Sequence, residues 1–274
     1  MPPRTTLNAK NLEALGAPRL AELLIEISTG NAATKRRLRL ELAGTASTGE
    51  VVREIRKRLT SIARSRTYVD WTKRRALVTD LNTQRRAIVE QVAPADPVQA
   101  LELMWQFLGL ANSVFERCDD SSGTVTGIFD QAVADLGAIA SAAEPDPQRL
   151  AEEVAQALTA NDYGQYDDLI QTLAGALGAE GLEHLKQRLT ALVQEAASRT
   201  SDRRGQAVGY SLTGPIHTDD LHERSRLSAA RRALLDIADA QGDVDDFIGQ
   251  YDERTRKVPK IAAEIARRLL GAGR

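Results

Sequence analysis

The stretch DPVQALELMWQFLGLANSVF, Asp96 to Phe115, decides the fold. Asp96 and Pro97 have the chemistry of a helix start: a side-chain acceptor for free backbone N–H groups, then a ring that presets the first helical φ. Leu101, Leu103, Met104, Trp105, Phe107, Leu108, Leu110, Val114 and Phe115 then put apolar side chains on nearly every side of the helix. Such a helix must be enclosed by others, so one continuous helix is expected at the centre of an all-α fold.

Downstream, Asp119, Asp120, Ser121 and Ser122 break that helix and suit the N-terminus of another running to Ala143. Asp146 and Pro147 start a further helix to about Ala160. After a turn at Asn161 to Gln165, Tyr166–Leu177 and Gly181–Ser198 follow, joined at Gly178. Helices of this length joined by tight turns predict stacked antiparallel hairpins, a solenoid or tetratricopeptide-like superhelix, although no fixed sequence period recurs.

Upstream, Asn8–Leu15 and Arg19–Ser28 read as helices. Asn31 caps a third, Ala32 to Ala43, which Gly44 is expected to stop. Ser47 and Glu50 form a capping box for a helix to about Arg66, with Val52, Ile55, Leu59 and Ile62 on its apolar face. Asp70 caps the next, ending before Pro94, with Trp71, Val78, Leu81, Ile88 and Val92 facing inward. Past Ser198 the polar segment 200–220, with Pro215, Arg203 and Arg204, reads as a linker. Helices Leu221–Ala240, Asp243–Tyr251 and Val258–Leu270 follow. The last shows an apolar face with no second helix to cover it, so the natural chain is expected to continue or a second subunit to cover that face. The organisation is thus a basic helical region (1–93), an acidic hairpin region (94–199), a linker loop (200–220) and C-terminal helices (221–274).

Composition supports the helical class. Of 274 residues 42% are hydrophobic but only 4% aromatic, and Ala, Leu, Arg and Glu stand where a β-rich chain uses Val, Ile, Tyr and Thr. Cys118 is the single cysteine, which excludes an intramolecular disulfide and fits a reducing compartment. The first seven residues lack a signal-peptide core, and no run approaches the ~20 apolar residues of a membrane span. A cytoplasmic protein with no membrane contact is expected.

Charge is unevenly spread. Lys35 to Arg86 holds fifteen Lys and Arg against Glu41, Glu50, Glu54, Asp70 and Asp80, about +10 in a chain of net charge −2. From Asp96 to Glu183 sixteen Asp and Glu face only Arg117 and Arg149. Helical phase divides the basic stretch. Arg74 and Arg85 fall on the buried face and are expected to pair with carboxylates of a neighbouring helix. Arg53, Lys57, Arg64, Arg75 and Arg86 point outward as candidate partner-binding residues. A protein partner or a second copy, with no assigned activity and no cofactor, is the first reading; nucleic acid tracked by the basic stripe is the alternative. Since Trp71 is assigned to the core, base stacking is expected to be sparse and duplex shape favoured over single strands. The acidic middle also competes for the stripe.

The remaining constellations have plainer readings. Cys118, with no nearby histidine and two adjacent acids, reads as a packing residue rather than a nucleophile. Asp119 to Gly123 reads as capping rather than a cation site. His217, Asp219, Asp220 and His222 offer metal-ligand types, but their spacing matches no established site. Tyr163 and Tyr166 flank Gly164 and read as packing under a turn, with a peptide anchor as the alternative.

Five segments carry a resemblance: Thr6–Gly16, Ala63–Arg66, Phe115–Gly123, Tyr163–Asp167 and Ile237–Asp243. They are similar to a bacterial domain-of-unknown-function family, number 6880, over nearly the whole chain. The resemblance implies a mostly helical protein that, in longer members, continues into tetratricopeptide-like hairpins after a segment like Leu270–Arg274. It implies no activity and transfers no functional residue.

Overall fold

The computed structural model describes residues 6–198, 207–211 and 214–274. In chain order its helices are α1 (Ala9–Glu13), α2 (Ala17–Ser28), α3 (Ala32–Ala46), α4 (Thr48–Ala63), α5 (Trp71–Ala87), α6 (Pro97–Leu108), α7 (Ala111–Phe115), α8 (Thr126–Ala143), α9 (Pro147–Thr159), α10 (Leu169–Ser198), α11 (Thr218–Gln241), α12 (Val244–Gly249), α13 (Glu253–Arg256) and α14 (Pro259–Gly271). One antiparallel hairpin, β1 (Ala207–Ser211) with β2 (Gly214–His217), interrupts this helical chain. The expected linker 200–220 therefore carries the hairpin, and α11 begins at Thr218. Pro215 sits opposite Tyr210, a place where a two-stranded ribbon tolerates a residue without an N–H.

Local chemistry sets most boundaries. The side chains of Asn31, Asp70, Asp96 and Asp146 each accept a hydrogen bond from a first-turn N–H, satisfying donors that a helix start leaves free. Ser47 ends α3 and caps α4 through Glu50 N–H at 3.3 Å. The reciprocal half of the capping box is missing: Ser47 N–H donates to the Ala43 carbonyl, and the Glu50 carboxylate turns to Arg53. Gly44 does not stop α3. It lies mid-helix against the Gln91 side chain, where a Cβ would come within 3.1 Å of Gln91 Oε1. Beyond Ala87, α5 continues as a π-helical turn, Ile88–Val92.

The apolar stretch takes the centre, as two helices rather than one. α6 ends at Gly109 and α7 resumes at Ala111. Ala100, Leu103, Met104, Phe107, Leu108 and Val114 are fully buried, and Phe107 meets Phe129 of α8 with ring centroids 5.6 Å apart. α6 packs on α8, α8 on α10, α9 on α10, and α10 on α11. The α8–α10 crossing is close because Gly137 has no side chain: a Cβ there would stand 2.9 Å from the Thr172 carbonyl oxygen. Gly178, at φ 57° and ψ −171°, kinks α10 in a conformation that other residues rarely adopt.

Two loops are clasped beside this core. Val69 donates to the Arg117 carbonyl at 2.7 Å and accepts from Asp119 N–H at 3.1 Å. Arg117 reaches the carbonyls of Ile62 and Thr67, and Arg74 donates to the Asp119 carbonyl. Arg74 is thus structural, but its partner is a backbone oxygen rather than a carboxylate. Arg85 does find a carboxylate, Asp135 of α8. Trp71, assigned to the core, is 71% exposed: it starts α5 at the rim, ahead of the turns that Leu81, Gln84 and Ala87 bury.

Candidate functional site

α3 is held lightly on the hairpin of α4 and α5. Of its fifteen residues only Leu40 and Ala43 are buried. Its polar attachment is Arg36, which approaches Asp80 of α5 at 3.7 Å, while Arg58 of α4 donates to the same carboxylate at 2.8 Å. One carboxylate, 10% exposed, therefore joins three helices. Its two guanidinium neighbours remain beside it in the grooves that flank α3.

On the α4 side a cavity of about 310 Å³ is lined by Lys35, Arg36, Arg39, Lys57 and Arg58, with Glu54 as the acid among its lining residues. Residues 35, 36 and 39 on α3 and 54, 57, 58 and 61 on α4 keep the three- and four-residue spacing that turns side chains to one helix face. On the α5 side a cavity of about 520 Å³ takes Arg36, Arg37 and Arg75 around Asp80, with Thr72, Thr79 and Thr83 along its wall. It continues past Arg37, Asn82 and Arg86. Arg36 borders both main grooves and has a buried Nε without a hydrogen-bond partner.

Among the described residues the fifteen basic side chains of 35–86 divide into two sets. Arg36, Arg53, Arg56, Arg58, Lys73, Arg74, Arg85 and Arg86 have partners: Asp80, Glu50, Glu102, Asp80, Asp70, the Asp119 carbonyl, Asp135 and Glu90. Lys35, Arg37, Arg39, Lys57, Arg64, Arg66 and Arg75 make no side-chain hydrogen bond or ion pair, and all seven are exposed. The acidic middle reaches the basic region through Arg56–Glu102 and Arg85–Asp135, and it covers none of the five outward candidates. Arg53 and Arg86 are tied to Glu50 and Glu90, each within a turn of its own helix.

The structure brings Lys57, Arg75 and Arg86 to the grooves, but Arg53 and Arg64 line none of them. Lys35, Arg37 and Arg39, the unpaired cations of α3, were not among the outward candidates on α4 and α5. Their signal was the i, i+4 pair Lys35 and Arg39 behind the Asn31 cap, obscured by the strand-like alternation of Leu38, Leu40 and Leu42.

Asp120, Cys118 and Tyr166 take structural roles, whereas Tyr163 stays 48% exposed. Asp120 accepts hydrogen bonds from Val125 and Thr126 N–H at 2.9 and 2.8 Å, capping α8. The Cys118 thiol is buried, and burial together with Asp120 pushes its pKa up, away from thiolate chemistry. Tyr163 packs on Phe115 at 5.0 Å, and Tyr166 is buried, with a hydroxyl pushed up to about 12 by burial. Tyr166 therefore presents no surface for a peptide. The side chains of His217, Asp219, Asp220 and His222 lie outside the described residues; among those described, no group of three or more His, Cys, Asp or Glu is close enough to hold a metal ion. No described helix is long and apolar enough to cross a membrane.

Comparison with curated proteins and with solved structures finds no match to either. A family model does match, over residues 2–274, and it is described as a family of unknown function, DUF6880. The five segments that carried the resemblance lie within that span, and the mostly helical architecture agrees with it: the chain belongs to the DUF6880 family.

Proposed function

We propose that this is a cytoplasmic helical scaffold whose basic face, the grooves on either side of α3, binds nucleic acid. The observation that carries the reading is the set of seven exposed cations without partners, five of which (Lys35, Arg37, Arg39, Lys57 and Arg75) line those grooves. The cations that tie one helix to another are paired, as Arg85 and Asp135 are. Unpaired cations grouped on one face raise the local potential and exchange counterions for phosphates. Packing of helices on sequence neighbours, α3 on α4 and α9 on α10 among them, supports the stacked-hairpin, tetratricopeptide-like arrangement as the scaffold.

The test is a salt titration of fluorescence anisotropy with labelled oligonucleotides. Binding should weaken steeply with salt, and the triple variant Lys35→Glu, Arg39→Glu, Lys57→Glu should lower the slope of log K against log salt by about 3. Affinity indifferent to salt, or equal in the triple variant, would sink the reading.

A protein partner is the second reading, and a specific groove supports it. Val98, Leu101, Trp105 and Leu150 line a cavity of about 330 Å³ together with Glu102, Asp146, Arg149 and Glu153. A peptide offering an apolar side chain would fit. Copurification at low salt should return a stoichiometric protein, or size-exclusion a homo-oligomer. Each should be lost on Val98→Glu, at an exposed position of the same groove.

A further inference from the structure

Two aromatic side chains beside the start of α5 are not accounted for by the basic grooves, although Thr72, next in sequence to Trp71, lines the α5-side one. Tyr68 is 60% and Trp71 71% exposed, although both are large enough to be valuable in a core. Their backbone is firmly held. Val69, between them in sequence, is buried and hydrogen-bonded in both directions to the 117–119 loop. Asp70 caps α5 through Thr72 and Lys73 N–H. In extended chain successive side chains alternate sides, so burying Val69 turns Tyr68 outward. Trp71 opens the helix, and at 100° per residue it lies in line with Arg75, Val78 and Asn82, residues of the groove walls. Three peptide links separate the two aromatics, so their Cα atoms are at most about 11 Å apart, within the reach of neighbouring nucleotides. Arg66 and Arg75, both unpaired, flank them in sequence.

From this arrangement we infer that the start of α5 is a stacking platform for single-stranded nucleic acid: Tyr68 and Trp71 take unpaired bases, and the strand continues into the groove, where Arg75 and Arg37 meet its phosphates. The inference rests on the nucleic-acid reading and narrows it to strands whose bases are free to stack. A duplex hides its base faces, so cations alone would not distinguish the two forms, whereas exposed aromatics on a rigid base would. It also reverses the expectation of duplex binding, which depended on Trp71 lying in the core.

Anisotropy with single-stranded and duplex oligonucleotides of equal length and matched salt tests the platform. The wild type should prefer the single strand. Trp71→Ala and Tyr68→Ala should each weaken single-strand binding about tenfold and leave duplex binding within about twofold, with Trp71→Phe restoring most of the loss. In a Trp105→Phe background the remaining tryptophan, Trp71, should be quenched by single-stranded oligonucleotide and unchanged by polyglutamate, a polyanion without bases. Equal loss on both nucleic acids, no loss on either, or quenching by polyglutamate would overturn the platform and leave charge-driven binding standing. A wild type that binds neither form would instead overturn the nucleic-acid reading itself.

Discussion

α6 against α8 and α3 against α5 are both helix pairs, yet they are held together in opposite ways. α6 and α8 meet through side chains that are entirely buried, Leu103, Met104 and Phe107 against Phe129, Ala132 and Leu136. α3 buries Leu40 and Ala43 and is otherwise tied to its neighbours through Asp80. In the first pair the facing sides are given over to the core, and what remains is the outer side of α6, which lines the apolar groove with Leu150. The second leaves two grooves and a set of unpaired cations, because a helix anchored by so few apolar residues keeps most of its circumference in water. Where the chain spends its apolar residues it makes a scaffold; where it withholds them it makes a face that something else can bind.

Truncation of a central side chain tests this division most strongly. Phe107→Ala should lose about 3–5 kcal/mol of stability in urea unfolding, through lost burial and the cavity left behind. Lys35→Glu, Arg39→Glu and Lys57→Glu together should change stability by less than about 1 kcal/mol, since these exposed side chains make no pairs to break. Comparable losses in the two variants would mean that the basic face is structural.

Asp80 should come next. Asp80→Asn keeps the volume but leaves Arg36 and Arg58 without their carboxylate in a site only 10% exposed on the aspartate side. Removing one partner of such a pair is costly because the remaining charge stays desolvated. A loss of about 2–3 kcal/mol is expected, with amide exchange accelerated in α3 ahead of α6. Uniform acceleration would show that α3 is not the lightly held element.

Among the described residues burial pushes up the carboxyls of Asp130, Glu153 and Asp236, the last of them furthest. Asp236 of α11 is pushed up to about 6, chiefly by burial, with Asp239, Asp167 and Asp168 adding to the effect and Arg232 opposing it. Its folded-state value lies above the ordinary carboxylate value of 3.8, so its ionisation destabilises the fold as pH rises through about 4 to 6. Asp236→Asn should therefore stabilise the protein at pH 7, by about 1 kcal/mol once solvent screening of a partly exposed group is allowed for. The advantage should vanish below about pH 4, where the wild-type group is neutral in both states. Thermal melts of both proteins across this range would expose a constant difference if the cause were packing instead.

Local chemistry was legible throughout the sequence. The caps at Asn31, Ser47, Asp70 and Asp96 follow from side chains that satisfy nearby N–H groups and need no knowledge of the fold. The buried face of α4 and the inward turn of Arg85 follow from helical phase alone. Phase cannot tell which helix covers a face, or where that cover stops. The expectation for Trp71 therefore failed at the rim of α5, and Arg74 met a carbonyl in place of a carboxylate. The α3 cations were missed for the related reason that Leu38, Leu40 and Leu42 alternate in sequence, while only Leu40 is buried. The β-hairpin lay inside a segment whose glycines and proline read as a linker.

Trp71→Ala should have the smallest effect on stability, and its smallness is informative. A tryptophan in the core costs about 3–5 kcal/mol when cut to alanine; one that is 71% exposed should cost less than about 0.5 kcal/mol. Phe107→Ala supplies the internal standard, since both substitutions remove an aromatic ring from a helix and differ chiefly in what surrounds it. A small loss for Trp71 beside a large one for Phe107 would show that the boundary between the enclosed layer and the open face runs through the first turn of α5. A loss near that of Phe107 would restore Trp71 to the core, take away the stacking surface, and leave the basic grooves to bind by charge alone.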